Sequence, residues 1–172
     1  DGIQYDEASK YMQMRAINYL DSCIISDQER RKAKKLGVVS EYGKLLYVYV
    51  RSSYRDIPLA KALSAHKEII EYIKREWVSF SLYEKAVAAV SLYRYGFTDE
   101  AKEILKSLRE YSTKTENMGM FWQNNKSSYS YRNSAIQIHA AIMNAFAEID
   151  PYAKQELNEM KRWLIMQKQT QN

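Results

Sequence analysis

Two histidines and one cysteine are the side chains of this sequence best suited to nucleophilic, acid–base or metal chemistry, and their spacing argues against all three. His66 and His139 stand 73 residues apart with no second Cys or His beside either, so the ligand spacing of a zinc site is missing. Cys23 lies in Leu20-Asp-Ser-Cys-Ile-Ile, a mostly apolar helical stretch, and is expected as a buried thiol. A reactive thiolate needs an exposed, electropositive setting. One cysteine allows no internal disulfide and fixes no redox compartment. The sequence has no Gly-rich phosphate loop, no Gly-x-Ser-x-Gly elbow, no His-Glu-x-x-His helix and no Asp-rich cluster. These motifs point away from an enzyme, and no catalytic, cofactor or metal residue is assigned.

What remains is binding. His139 falls inside the apolar segment Ser134-Ala-Ile-Gln-Ile-His-Ala-Ala-Ile-Met and is expected as a hydrogen-bonded core or cavity histidine. His66 falls on the apolar edge of its helix, where packing suffices. The segment Glu116 to Arg132 is the best candidate for a binding surface. Trp122, Tyr129 and Tyr131 beside Asn124 and Arg132 combine flat apolar area with hydrogen-bonding groups, a composition enriched in recognition sites, and His139 follows closely. The competing account is that Phe121 and Trp122 anchor a long loop whose polar residues are merely solvated.

The elements that must position these residues read as helices. Ala62, Ala65, Ile69, Ile70, Ile73 and Trp77 follow the i, i+3, i+4, i+7 spacing of one buried face, and Ala101, Ile104, Leu105, Leu108 and Tyr111 repeat it. Asp150-Pro151 and Thr98-Asp99-Glu100 carry helix-start signals, and Gly37 and Gly96 sit where C-terminal caps are expected. About eight helices are predicted, near 5–24, 27–36, 40–54, 58–77, 81–95, 98–112, 131–148 and 151–168, with an exposed loop over 113–130. Short connections make consecutive helices antiparallel neighbours.

A weak internal repeat orders the pairs. Lys85-Ala-Val-Ala-Ala-Val90 with Ala101-Lys102 recurs 52 residues later as Gln137-Ile-His-Ala-Ala-Ile142 with Ala153-Lys154. In each unit an apolar, small-residue helix precedes a charged amphipathic one, so the first is expected to be covered on most sides and the second on one face. Stacked pairs of this kind build either an open solenoid or an α/α-toroid of inner and outer helices.

Composition fits one soluble-type helical domain of 172 residues, with only five Gly and two Pro. The longest apolar run, Leu45 to Val50, is far short of the roughly 20 residues that span a bilayer, so no direct membrane insertion is expected. The net charge of +5 concentrates in Arg30-Arg31-Lys32-Ala33-Lys34-Lys35, where cations complement a helix C-terminus, and nucleic acid is not expected as a partner.

Several stretches resemble the α/α-toroid domain of bacterial α2-macroglobulin-like proteins. Ala16-Ile-Asn-Tyr-Leu-Asp21, Leu82 to Tyr93 with Gly96 and Ala101 to Leu108, Gly119-Met-Phe-Trp122 ahead of Ser134 to Ala147, and Met160-Lys-Arg-Trp-Leu-Ile-Met-Gln-Lys-Gln169 are similar to its successive helices. The resemblance covers nearly the whole chain and implies an all-α fold, antiparallel pairs forming part of the toroid. It implies a middle portion of that domain, cut off from neighbouring domains of a longer chain. Members act in endopeptidase inhibition or host defence at the cell envelope or outside the cell, and cleavage of a bait region triggers a conformational change around the protease. The thioester motif Cys-x-Glu-Gln is absent, since Cys23 is followed by Ile24-Ile25-Ser26. The expectation is a non-catalytic segment with proteases or other proteins as partners and no cofactor. The alternative is a helical-repeat adaptor binding another protein along a concave face, and a toroid enzyme ranks last.

Overall fold

The computed structural model describes residues 7–123 and 134–170. Among them are seven α-helices and one two-stranded hairpin, so the chain is all-α in character. It packs as two compact units, residues 1–74 and 75–172. No described helix is long and apolar enough to cross a membrane.

The first unit holds α1 (Glu7–Lys32), α2 (Glu41–Ser52) and most of α3 (Leu63–Glu76), which a 3-10 turn at Ala60–Ala62 precedes. The sequence predicts a break in α1 near residue 25, but the helix runs straight through. Ser26-Asp27 has the composition of a helix start, yet Asp27 does not cap its own helix. Its carboxylate turns to the chain beyond the helix: Oδ1 accepts from the Val38 and Val39 N–H groups at 2.6 and 2.9 Å, and Oδ2 from Arg31 Nε at 3.0 Å. Burial alone would raise the Asp27 carboxyl, but those N–H groups, Arg31 and Lys44 hold it below the usual range.

Gly37 is not the cap of α1. Lys34 takes the left-handed conformation (φ 55°), and the N–H groups of Lys34 and Lys35 donate to the Arg31 and Arg30 carbonyls, closing the helix in a Schellman motif. Gly37 makes room instead: a Cβ there would stand 2.9 Å from Asp27 Oδ1. Ser40 then caps α2 by accepting from the Gly43 N–H at 3.0 Å. Ile17 and Ile24 of α1, Leu45 and Val48 of α2, and Ile69 and Ile73 of α3 form the apolar core.

The second unit runs from the end of α3 through a 3-10 turn, Trp77–Ser79, to α4 (Leu82–Arg94) and α5 (Thr98–Glu110). A capping box opens α4, with the Ser81 N–H donating to Glu84 Oε2 at 2.9 Å. Gly96 (φ +86°) closes it with a Schellman pair, its N–H on the Tyr93 carbonyl and that of Phe97 on Leu92. Thr98 is the first residue of α5 and not its cap; the preceding Phe97 offers no side-chain acceptor. Lys85 to Leu92 are buried around the whole of α4, whereas α5 buries only the face of Ala101, Ile104, Leu105 and Leu108. That is the contrast predicted for a covered helix and its one-faced partner.

Where a loop is predicted, β1 (Thr113–Thr115) and β2 (Gly119–Phe121) form a hairpin with Thr113 opposite Phe121 and Thr115 opposite Gly119. Three turn residues followed by a left-handed glycine (Gly119, φ +74°) make a standard hairpin connection. A Cβ on Gly119 would collide with the Glu159 backbone carbonyl, so the hairpin lies directly on α7. Ser134 caps α6 (Ala135–Ile149), and Asp150 accepts from the Tyr152 N–H at 3.0 Å in the turn before α7 (Lys154–Thr170). α4 packs chiefly on α5 and α6, α6 also on α7, and the hairpin on α7.

Candidate functional site

Trp122 and His139, the two members of the candidate surface that fall among the described residues, are brought together in the interior of the second unit. Trp122 is 3% exposed and His139 0%. Trp122 leaves β2 pointing inward, and its Nε1–H donates to the Leu108 carbonyl of α5 at 2.9 Å. His139, in the middle of α6, lies with its ring edge-on to Trp122 (centroids 5.6 Å apart) and stacked on Trp163 of α7 at 4.3 Å. These residues are core, as the anchoring account of the loop has it. Asn124, Tyr129, Tyr131 and Arg132 lie outside the described residues.

The His139 tautomer follows from its partner. The Met160 carbonyl, 3.0 Å from Nε2, can only accept, so Nε2 carries the proton and Nδ1 is bare in the neutral ring. Nδ1 is buried without a hydrogen-bond partner among the described residues. Burial pushes the His139 pKa down, offset in part by the Met160 bond. A neutral imidazole clamped between two indoles holds α6, α7 and the end of the hairpin together and offers no path to an outside substrate. Sequence reading placed Trp163 in an outer helix but not beside His139, although the repeat marks it: 52 residues before Met160 and Trp163 stand Leu108 and Tyr111. The ring N–H groups of Trp122 and His139 thus bond to carbonyls at matching positions of the two amphipathic helices.

The same unit carries a surface groove of about 470 Å³ where α5 meets the α6–α7 turn, lined by Tyr93, Lys102, Leu105, Arg109, Ile149 and Tyr152 among others. Arg109 spans its floor, pairing with Glu156 through Nε and Nη2 at 2.8 and 2.9 Å and with Asp150 at 2.8 Å. The Glu156 bond dominates and raises the Arg109 pKa, and Arg109 in turn lowers that of Glu156. Tyr152 stands 90% exposed at the rim. Leu105 and Ile149 supply the apolar part of the lining, beside the ion-paired Arg109 and the Tyr93 and Tyr152 rings.

In the first unit the concentration of polar groups is structural. Arg51, 1% exposed, is the largest fully buried side chain. Nε and Nη2 bind the Asp21 carboxylate at 3.0 and 3.2 Å, while Nη1 and Nη2 donate to the Tyr54 and Ile57 carbonyls at 2.6 and 2.8 Å. Tyr47 donates to Asp21 Oδ1 at 2.8 Å. His66 is buried with its ring edge-on to Tyr47, and burial followed by the Arg51 charge pushes its pKa down to about 4, against a smaller upward pull from Asp21. Sequence reasoning passed over this pair, though Asp21 lies between Ile17 and Ile24 on the apolar stripe of α1. Cys23, expected buried, is only half-buried.

Fold and interior together define a protein of paired helices, one member of the first pair enclosed and its partner amphipathic, tied by buried ring N–H bonds. Comparison with protein-family models, with curated proteins and with solved structures returns no match to this chain.

Proposed function

We propose that this chain is a non-catalytic structural and interaction segment of a bacterial α2-macroglobulin-like protein, acting in endopeptidase inhibition or host defence. The observation that carries the reading is the pairing of α4 with α5 and of α6 with α7, in step with the 52-residue repeat and with α4 against α6. Inner helices side by side, each backed by a charged outer helix, are the building plan of an α/α-toroid. The segment contributes framework and non-covalent contact with proteases and with neighbouring domains, at the cell envelope or outside the cell. Covalent trapping has no place in it, since Cys23 lacks the Glu-Gln partners of a thioester.

Two measurements test this. The complete coding sequence around the chain is expected to encode β-sandwich domains and a bait segment; their absence would sink the reading. Incubated with a protease, the chain is expected to give no methylamine-sensitive covalent adduct on denaturing gels, and such an adduct would refute the thioester-free assignment. A helical-repeat adaptor is the second reading, favoured by the tyrosine-rimmed groove beside Arg109.

A further inference from the structure

We propose that the turn closing α1 is a contact surface for a membrane that carries anionic phospholipid. Leu36 is 87% exposed and Val38 64%, and Lys32, Lys34 and Lys35 beside them are exposed as well. Lys34 and Lys35 form no ion pair among the described residues, and Lys32 lies only within electrostatic reach of Glu68. The acids around the turn are committed elsewhere. Asp27 holds Val38, Val39 and Arg31, Glu68 holds Gln28 and Arg31, and Glu41 holds Lys44. Glu29 is the one acid without an ion pair between Asp27 and Glu41, against three free lysines.

The turn is braced from within. The Lys34 and Lys35 N–H groups donate to the Arg31 and Arg30 carbonyls, Arg30 Nε donates to the Leu36 carbonyl at 3.1 Å, and Asp27 accepts from Val38 and Val39. With those backbone groups paired inside the protein, the tip can leave bulk water without stranding them. Leu36 and Val38 are thus fixed in solvent on an ordered backbone, and an apolar medium would take them up at little further ordering cost. The free charges select the partner. The forked guanidinium groups that read a carboxylate at two points are already used, Arg30 on Leu36 and Arg31 on Asp27 and Glu68. What faces outward is lysine, a point charge suited to a diffuse field of lipid phosphates. Leu36 and Val38 offer a nucleic acid no ring on which a base could stack, whereas both can reach the boundary between headgroups and acyl chains. The contact is interfacial and calls for no spanning helix. It lies wholly within the first unit and stands whether or not the chain belongs to a macroglobulin-like protein.

The test is flotation of the chain with vesicles of phosphatidylcholine mixed with phosphatidylglycerol, beside vesicles of phosphatidylcholine alone. Binding to the mixed vesicles that weakens with added salt is expected, with none to the neutral ones. Two paired variants separate the parts of the surface. Lys32→Gln with Lys35→Gln removes charge, and Leu36→Ser with Val38→Ser removes the aliphatic groups at constant charge. Each pair is expected to lower the partition coefficient roughly tenfold or more. Circular dichroism and Tm should stay unchanged in both, because the substituted side chains face solvent. A third variant, Leu36→Trp, reports position: its added fluorescence should be quenched by lipids brominated in the acyl chain. The proposal is overturned by equal binding to neutral vesicles, by no binding to either kind, by undiminished binding of either paired variant, or by an unquenched Leu36→Trp signal. Tighter binding to a labelled DNA duplex than to the mixed vesicles would assign the turn to nucleic acid and overturn it as well.

Discussion

Arg51 shows how a single buried charge can organise a unit. Its guanidinium is saturated by one carboxylate and two backbone carbonyls, so it ties α1 and α2 to the chain between Tyr54 and Ile57. Replacing Arg51 by Met would strand the Asp21 carboxylate in the interior, and a loss of about 3–5 kcal/mol is expected in urea unfolding. Adding Asp21→Leu to that variant should recover part of the loss, because an apolar pair leaves no charge unmatched. His66 adds a pH dependence whose sign is fixed by its depressed pKa. Its stabilising contribution is fully present above the unfolded value near 6.5 and is lost as pH falls through about 4. That amounts to at most about 3 kcal/mol, and His139 acts in the same direction. Unfolding free energies measured between pH 7 and pH 4 should fall, and His66→Gln should flatten the curve. Asp27, Glu68 and Glu156, whose pKa values lie below the usual carboxylate range, extend the loss to lower pH.

At the scale of the elements, backbone conformation decides more than composition. Gly119 combines a positive φ with direct contact on the α7 backbone, so Gly119→Ala is strained twice over. A loss of about 2–4 kcal/mol is expected, read as a lower Tm. Protection of the Thr113–Phe121 hairpin in hydrogen exchange should fall with it. The end of α1 offers the opposite case. Lys34 occupies a left-handed position that glycine takes without penalty, so Lys34→Gly is expected to raise stability by about 1 kcal/mol. Gly37→Ala should lower stability, because its Cβ crowds the carboxylate that gathers Val38 and Val39. Thermal unfolding of the two variants side by side separates a cap from a close approach.

For the molecule as a whole, a pI near 9.1 invites a nucleic-acid reading, and the cations that cluster in sequence, Arg30 to Lys35, fall at the end of α1. Arg30 donates to the Leu36 carbonyl at 3.1 Å and Arg31 pairs with Asp27 and Glu68, while Lys34 and Lys35 close the helix through their backbone N–H groups with exposed side chains. Guanidinium groups committed to a carbonyl and to carboxylates, as those of Arg30 and Arg31 are, have less to offer a phosphate backbone. Fluorescence anisotropy with a labelled duplex is expected to show no saturable binding at physiological salt, and a steep salt-dependent isotherm would contradict this.

The sequence by itself determined the helical class, most helix positions, the capping role of Gly96, and the asymmetry between α4 and α5. Each of these follows from local spacing: an apolar period, a cap or a glycine within a few residues of the event it controls. Asp150, expected to start the last helix, instead ends α6, and α7 begins only at Lys154. Tertiary structure alone decided the rest. The unbroken course of α1 depends on Asp27 reaching eleven and twelve residues onward to Val38 and Val39. The hairpin depends on Gly119 meeting α7 forty residues away. The interior placement of Trp122 and His139 depends on the carbonyls of Leu108 and Met160, and on Trp163. An aromatic residue in a polar segment reads equally well as an exposed anchor or a buried one. Only the presence of a carbonyl and a second ring, supplied by elements distant in sequence, makes burial the lower free energy.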